Sequence, residues 1–245
     1  LISVFWQDSS RDRPAARPGK HAMPALDVKI CGLSTPGSVA AALAGGANHV
    51  GFIFFPASPR NVAPERAATL AEPARRRATV VAVTVDADDA FLDAIVASLR
   101  PDLLQLHGHE TPERVAALKA RHRLPVMKAV SLREAADLRR LDGYVGIADR
   151  FLLDAKAPAG ARLPGGNGVA FDWSLLAGLG RRVPYMLSGG INRANLRAAL
   201  TQVRPAGIDV SSGVETAPGR KDERLIREFL ADVRRIERER APNPV

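Results

Sequence analysis

A chain of 245 residues, 46% hydrophobic and 25% charged, has the composition of an ordinary globular protein and the length of one large domain or two small ones. No apolar run approaches about 18 residues, which excludes a transmembrane helix, and a single cysteine, Cys31, excludes an internal disulfide and a zinc site of thiolates. The net charge of +9 comes from Arg residues interleaved with acids, as in 220–240, which indicates solvated helix faces and a field that favours a small anionic substrate.

The two ends of the chain differ from its middle. Much of residues 1–24 is polar, contains prolines and has no apolar period, so we predict a disordered or extended leader there. We expect one domain over 25–240 and a short tail over 241–245. The low cysteine usage, without a signal-peptide pattern, indicates a reducing cytoplasm.

From residue 27 onward, strand-like apolar runs alternate with Ala-, Leu- and Arg-rich stretches of helical spacing. The strands are predicted at 27–31, 48–54, 79–85, 102–106, 125–130, 150–154, 184–188 and 207–211. The helices are predicted at 36–44, 64–71, 90–99, 112–120, 132–141, 171–179, 192–200 and 221–238. The strands are apolar throughout, as expected when both faces of a parallel sheet are buried. Eight such units predict a single TIM (β/α)8 barrel; an open doubly wound sheet is the alternative, but eight alternations without a composition break favour closure.

In such a barrel, functional side chains gather at the carboxyl ends of the strands. Small residues in the turns after the seventh and eighth strands would let backbone N–H groups close on phosphate oxygens. Either turn alone is explained by tight-turn geometry, whereas the two together predict a phosphate site. The residues found at the predicted strand ends are Cys31, Arg60, Asp86, Gln105, His107, Asp154, Ser188, Gly189, Gly190, Asp209, Ser211, Ser212 and Gly213.

Several of these residues have an ordinary structural explanation beside a chemical one. Cys31 is either a small buried hydrophobe or a reactive thiolate, and its place between a strand and a Gly-containing turn favours reactivity. Asp154 is either a functional carboxyl group or a cap of the following loop. His107 and His109 alternate beside no carboxylate cluster, so they make a weak metal site.

Seven motifs occur in order between about Val28 and Phe229. They are Lys-Ile-Cys-Gly-Leu at 29–33, Ser-Pro-Arg at 58–60, Gln-Leu-His-Gly at 105–108, Leu-Asp-Ala at 153–155, Phe-Asp-Trp at 171–173, Leu-Ser-Gly-Gly at 187–190 and Asp-Val-Ser-Ser-Gly-Val-Glu at 209–215. With these motifs the chain resembles the phosphoribosylanthranilate isomerases of tryptophan biosynthesis. The resemblance implies a TIM barrel that converts N-(5-phosphoribosyl)anthranilate to 1-(2-carboxyphenylamino)-1-deoxyribulose 5-phosphate by an Amadori rearrangement, without a metal or a cofactor.

The resemblance also implies residue roles. Asp154 matches the acid that protonates the furanose ring oxygen, and Cys31 matches the base that removes the C2′ proton of the Schiff base. Arg60 would bind the anthranilate carboxylate, because a planar guanidinium suits bidentate pairing. The other implied substrate contacts are Gln105, Lys29 and Gly166, and the implied phosphate site is Ser188, Gly189, Gly190, Asp209, Ser211, Ser212 and Gly213.

The implied base sets a condition on its surroundings. A thiolate base requires that the pKa of Cys31 lie below its free value of about 8.5. Period two in the strand puts Lys29 on the same face, where an inward ammonium would stabilise the thiolate and an outward one would be only a solvated charge. The segment Gly165–Gly168, in the loop after the sixth strand, either closes over the substrate or is a flexible connection.

Two other classes of function stay open. One is another phosphosugar barrel, such as a ribulose-phosphate epimerase, an indole-glycerol-phosphate synthase or a dual-substrate isomerase; the last would use Asp as its strand-one base, and Cys31 argues against it. The other is a basic RNA-binding protein, which would need exposed aromatic residues, and only 5% of the chain is aromatic. We expect a small anionic phosphoribosyl substrate, no nucleic-acid or membrane partner, and a monomer or homodimer.

Overall fold

The computed structural model describes residues 26–155, 172–177, 179 and 183–240. Each of eight parallel strands pairs with the next, and the eighth pairs with the first, so the sheet is a closed barrel. The predicted TIM barrel is confirmed. The predicted leader, the tail and Gly166 lie outside the described residues. The strands are β1 (Asp27–Cys31), β2 (His49–Phe54), β3 (Thr79–Thr84), β4 (Leu103–Leu106), β5 (Val126–Leu132), β6 (Arg150–Ala155), β7 (Tyr185–Leu187) and β8 (Gly207–Val210).

Helices connect the strands and bury their apolar faces against the barrel. Proline at the first turn of three of them has no N–H to leave unpaired. Thr35 and Thr111 cap two of these helices, each side chain accepting the N–H of the residue three positions on. Within the described residues, no helix is long and apolar enough to cross a membrane. The α-helices are α1 (Pro36–Ala44), α2 (Pro64–Ala71), α3 (Asp89–Leu99), α4 (Pro112–His122), α5 (Leu196–Gln202) and α6 (Glu223–Arg240).

Two of the predicted helices differ in the structure. Between β5 and β6 the chain forms 3-10 turns over Ala135–Tyr144, and Leu141 is the one buried residue in them. The α-helix predicted at 132–141 is therefore wrong, because the segment lacks the apolar face whose packing stabilises an α-helix. Between β6 and β7, the described residues contain a 3-10 turn over Trp173–Leu176, inside the helix predicted at 171–179.

A short antiparallel hairpin follows β8 and was not predicted. It consists of β9 (Glu215–Ala217) and β10 (Arg220–Lys221). Its polar sequence carries no apolar signal for a strand. A Cβ added at Gly219, where φ is +80°, would lie 2.4 Å from the carbonyl oxygen of Pro59, so the hairpin packs directly on the loop after β2.

The barrel interior changes from apolar to polar toward the carboxyl ends of the strands. Leu103, Leu152 and Met186 belong to an apolar cluster inside the barrel. Two residues further along the chain from each of them, on the same face, lies a buried polar residue: Gln105, Asp154 and Ser188, respectively. The period of two therefore brings polar groups to one end of the barrel.

The amino-terminal side of the barrel contains a buried histidine. His49 Nδ1 lies 3.2 Å from Asn48 Oδ1, and His49 Nε2 lies 3.5 Å from Arg150 Nη1. Arg150 is in turn paired with Asp27 at 2.9 Å. Burial lowers the pKa of His49 to about 4; Arg150 and Lys29 act in the same direction, while Asp27 and Asp209 oppose them.

This depressed pKa makes stability depend on pH. His49 is neutral in the folded protein, whereas His49 of the unfolded chain takes up a proton below about pH 6.5. The contribution of His49 to the free energy of unfolding is therefore fully present above that pH and is lost as the pH falls toward 4. We expect the wild type to lose about 2 kcal/mol through this group between pH 7 and pH 5. Urea unfolding of His49→Gln at both pH values should show a loss smaller by that amount. An equal loss in wild type and variant would contradict the assignment, and the exposed His109→Gln serves as control.

Candidate active site

A cavity opens at the carboxyl-terminal mouth of the barrel. It brings together most of the predicted site: Cys31, Arg60, Gln105, Asp154, Ser188, Gly189, Gly190, Asp209, Ser211 and Ser212. Lys29 is buried two residues before Cys31 on the same face of β1, and Gly213 follows Ser212 in the turn after β8. Sequence reasoning missed the apolar walls, although period two along β2 and β3 leads to them. These walls are Ile53, Phe55, Val83, Val85 and Ile191.

A buried ion pair lies under the thiol. Lys29 Nζ is 2.9 Å from Asp209 Oδ1, and Asp209 Oδ2 accepts a hydrogen bond from Ser188 Oγ at 3.1 Å. Of the two orientations considered for Lys29, the structure has the inward one. A Cβ at Gly51 would lie 3.1 Å from Lys29 Nζ and 3.2 Å from Cys31 Sγ, so this glycine leaves the space that the ammonium and thiol share.

The environment of Cys31 raises the pKa of its thiol. Burial is the largest cause, Lys29 opposes it, and Asp209 adds to it. The predicted lowering is therefore wrong: burial outweighs the attraction of the Lys29 ammonium for the thiolate, and the Asp209 carboxylate adds to the rise. Burial lowers the pKa of Lys29, but Asp209 and Cys31 outweigh burial and hold that pKa above its ordinary value, so Lys29 stays charged.

The Asp154 carboxyl group stands across the mouth from the thiol, on β6. Its side chain is buried at 3% exposure, and its Oδ1 accepts the N–H of Ala155 at 2.9 Å. Its Oδ2 lies 3.2 Å from His107 Nε2. Gly189, with φ at +83°, allows the loop after β7 to lie on this carboxylate, because a Cβ there would be 2.4 Å from the Ala155 nitrogen and 3.0 Å from Asp154 Oδ1.

Arg60 is held by a protein carboxylate. Its Nε and Nη2 bind the two carboxylate oxygens of Glu215 at 2.8 Å each. Lys221 Nζ contacts Glu215 Oε1 at 2.5 Å and also donates to Ser211 Oγ at 3.1 Å. Burial raises the pKa of Glu215, but Arg60 and Lys221 outweigh it and bring that pKa below its ordinary value. The Nε–Nη2 edge of Arg60, one of the two guanidinium edges that suit bidentate pairing, is thus already bound. Glu215 lies in the motif at 209–215 but has no predicted role, and Lys221 is not among the predicted site residues.

The two phosphate-type loops pack on each other. A Cβ at Gly213 would lie 2.1 Å from the carbonyl oxygen of Ile191, so the loops after β7 and β8 meet at this glycine. Asn192 and Asn195 both donate to the Gly190 carbonyl, at 3.1 and 2.9 Å, and so hold the first loop in shape. The two loops of the predicted phosphate site therefore lie against each other, and phosphate binding there stays a prediction.

One member of the predicted phosphate set needs correction. Both carboxylate oxygens of Asp209 are bound, one by Lys29 and the other by Ser188. A carboxylate offers no donor to a phosphate and repels its charge. Asp209 therefore supports Lys29 instead of binding phosphate. Among the described residues, His, Cys, Asp and Glu side chains form no group of three or more that could hold a metal ion.

The fold and site define a TIM-barrel enzyme with a carboxyl group, a thiol and two glycine-containing loops around one cavity. Residues 28–232 match the family model described as N-(5'-phosphoribosyl)anthranilate (PRA) isomerase. The N-(5'-phosphoribosyl)anthranilate isomerase of Chelativorans sp. (strain BNC1) is 66% identical over 209 residues, 85% of this chain and 96% of the relative. The chain belongs to the PRA isomerase family.

Solved structures agree with this assignment. The chain resembles monomers generated from the dimeric phosphoribosylanthranilate isomerase of Thermotoga maritima, with a TM-score of 0.73, 33% identity and coverage of 85% and 98% of the two chains. A PRA isomerase in complex with reduced 1-(o-carboxyphenylamino)-1-deoxyribulose 5-phosphate has the same TM-score of 0.73, 33% identity and coverage of 85% and 98%. These comparisons select the family over the other phosphosugar barrels that the sequence left open.

The raised thiol pKa can be tested directly, because Cys31 is the one cysteine of the chain. We expect alkylation by iodoacetamide, followed by intact mass, to increase with pH along a curve whose midpoint lies above the free-thiol value of about 8.5. The reason is that only the thiolate reacts and burial disfavours it. Glutathione under the same conditions is the control. A midpoint at or below that of glutathione would contradict the assignment.

Proposed function

We propose that this protein converts N-(5-phosphoribosyl)anthranilate to 1-(2-carboxyphenylamino)-1-deoxyribulose 5-phosphate in tryptophan biosynthesis. The observation that carries the proposal is that one cavity holds Cys31 and Asp154 on strands β1 and β6, beside the paired loops after β7 and β8. The reaction needs a base and an acid at different atoms of one phosphorylated sugar, which this arrangement provides. The relative whose structure contains a reduced form of the product supports the same chemistry.

Asp154 opens the sugar ring. Its proton passes to the furanose ring oxygen while the C1′–O bond breaks and the amine lone pair forms the C1′=N bond of the Schiff base. The acid is buried, so water does not compete for the proton. Its Oδ1 is held by the Ala155 N–H, which fixes the orientation of the carboxyl group toward the cavity.

Cys31 completes the isomerisation. Its thiolate removes the C2′ proton, and the electrons of that C–H bond form C1′=C2′ while the C=N electrons return to nitrogen. The resulting enolamine becomes the 2-ketone by proton transfer, so atoms and electrons balance without an oxidant. Because the pKa of the Cys31 thiol is raised, its thiolate is a stronger base once it has formed. The Lys29 ammonium offsets part of the free-energy cost of forming that thiolate.

The remaining contacts position the substrate. We assign the phosphate to the backbone N–H groups and hydroxyls of the loops after β7 and β8, and the aryl ring to the apolar walls. Arg60 lines the cavity and directs its positive charge toward the anthranilate carboxylate, with Glu215 fixing the guanidinium. Gln105 also lines the cavity, while Gly166 remains a prediction outside the described residues.

The cellular setting is also proposed. A single cysteine used as a free thiol suits a reducing cytoplasm, where we place the protein. The Thermotoga maritima relative is dimeric and has been obtained as monomers, so either state is compatible with a barrel whose mouth carries the site. No nucleic-acid or membrane partner enters this proposal.

The acid and the base are tested by two variants. Adding purified protein to the substrate should abolish its anthranilate fluorescence, and Cys31→Ala and Asp154→Asn should each lower turnover by roughly 10²–10⁴-fold, because a proton transfer has lost its donor or acceptor. Asn caps a loop as well as Asp does, so near-normal turnover in Asp154→Asn would return Asp154 to a structural role. Asp86→Asn, at a half-exposed carboxylate outside the cavity lining, is the matched control and should keep its activity.

Arg60 is tested with two substrates. We expect Arg60→Gln to raise KM by about 10- to 150-fold, the equivalent of a charge-assisted contact of ~1.5–3 kcal/mol, with little change in kcat. The wild type should prefer the anthranilate adduct over the corresponding aniline adduct, which lacks the carboxylate, and the variant should lose this preference. A variant that keeps the preference would show that another group binds the carboxylate.

A further inference from the structure

The Asp154 carboxyl group has a neighbour that the steps above do not use. His107, just after β4, has its Nε2 at 3.2 Å from Asp154 Oδ2. Among the described residues, no Lys or Arg lies within the 4.0 Å ion-pair distance of this carboxylate, so His107 is the one basic side chain at that distance. Both residues line the cavity, so this contact lies at the site of the chemistry.

Gln105 contacts the other ring nitrogen of His107. Its Nε2 lies 3.1 Å from His107 Nδ1, and its side chain is fully buried. An amide nitrogen donates, so Nδ1 accepts and the proton of the neutral ring sits on Nε2, the atom that faces Asp154. The sequence spacing of two places both side chains at the cavity end of the same strand.

The His107 Nε2–H is close to the carboxylate but not aligned with it. Nε2 has no hydrogen-bond partner of good geometry within the described part of the chain, although Asp154 Oδ2 is only 3.2 Å away. Contacts of this kind tighten when charge develops on the acceptor during the reaction.

The loop that carries His107 is held independently of any substrate. The His107 N–H donates to the Thr84 carbonyl at 2.9 Å. The next residue, Gly108, donates to Glu110 Oε2 at 3.0 Å, and the buried Lys128 binds both the Gly108 carbonyl and Glu110 at 2.8 Å. The ring therefore has a fixed position before the reaction begins, which preorganisation requires.

We infer that His107 is a positioning residue for the acid. After Asp154 has given its proton to the sugar, the Nε2–H of His107 donates a hydrogen bond to the carboxylate that Asp154 has become. This inference rests on the proposed function, because it names the group that stabilises the Asp154 carboxylate formed in that reaction. A carboxylate formed at a buried position without a donor is costly, and the Ala155 N–H serves only Oδ1. His107 serves the other oxygen.

Two variants separate this role from simple space filling. His107→Gln keeps an N–H donor near the position of Nε2, whereas His107→Asn keeps one only near Nδ1. We expect His107→Asn to lower kcat by about 10- to 100-fold with KM within about twofold, and His107→Gln to restore most of kcat.

The control is His109→Asn, on the same loop, whose side chain is 87% exposed and pairs with Asp86 outside the cavity. It should keep wild-type kinetics. Wild-type kcat in His107→Asn, an effect on KM alone, or no recovery in His107→Gln would each overturn the inference. If His107→Asn does not fold, as judged by circular dichroism, Gln105→Met tests the same point by freeing the ring tautomer, and unchanged kcat there would overturn it. An inactive wild type would instead overturn the proposed function.

Discussion

The buried ion pair between Lys29 and Asp209 is the contact on which the mouth of this barrel depends. The two residues are register partners on β1 and β8, the strands at which the barrel closes. The pair fixes Ser188 through the other oxygen of Asp209 and lies beside the Cys31 thiol. Removing one partner would leave a buried charge uncompensated, at a cost of about 3–5 kcal/mol. Apolar residues of similar volume often stabilise a fold at least as much as a buried ion pair does. The contribution of this pair is therefore to organise the site more than to stabilise the fold.

The same principle operates around the rest of the mouth. Arg60 is fixed by Glu215, which Lys221 also binds, and the hairpin formed by β9 and β10 brings these two residues to the loop after β2. These buried charges thus have protein partners before a substrate arrives. Charges held in this way need little reorganisation when charge develops on a bound substrate, which is the main source of electrostatic catalysis.

Burial affects both the proposed acid and the proposed base. It keeps Asp154 away from water and raises the pKa of the Cys31 thiol. The thiolate is therefore less populated at neutral pH but is a stronger base when present. Lys29 moderates this effect without reversing it, because its charge is shared with Asp209. Burial of the thiol is thus the main cause of its raised pKa, and the ion pair beside it changes that pKa in both directions, Lys29 lowering it and Asp209 raising it.

The amino-acid sequence by itself determined the barrel, the order of its strands and the positions of Cys31 and Asp154 at strand ends. These features follow from local patterns: apolar runs, helical spacing and glycine turns act over a few residues. Family motifs added the roles. The segment over Ala135–Tyr144 was mispredicted because its helical spacing suggested an apolar face that the tertiary structure does not bury.

Only the tertiary structure decided which side chains meet. Lys29 and Asp209 are 180 residues apart in the chain, and Arg60 and Glu215 are 155 apart, so no local pattern relates them. The inward direction of Lys29, the bound edge of Arg60 and the approach of His107 to Asp154 all depend on barrel closure. The raised pKa of Cys31 depends on it too, because desolvation is a property of the assembled core and not of a residue's neighbours in sequence.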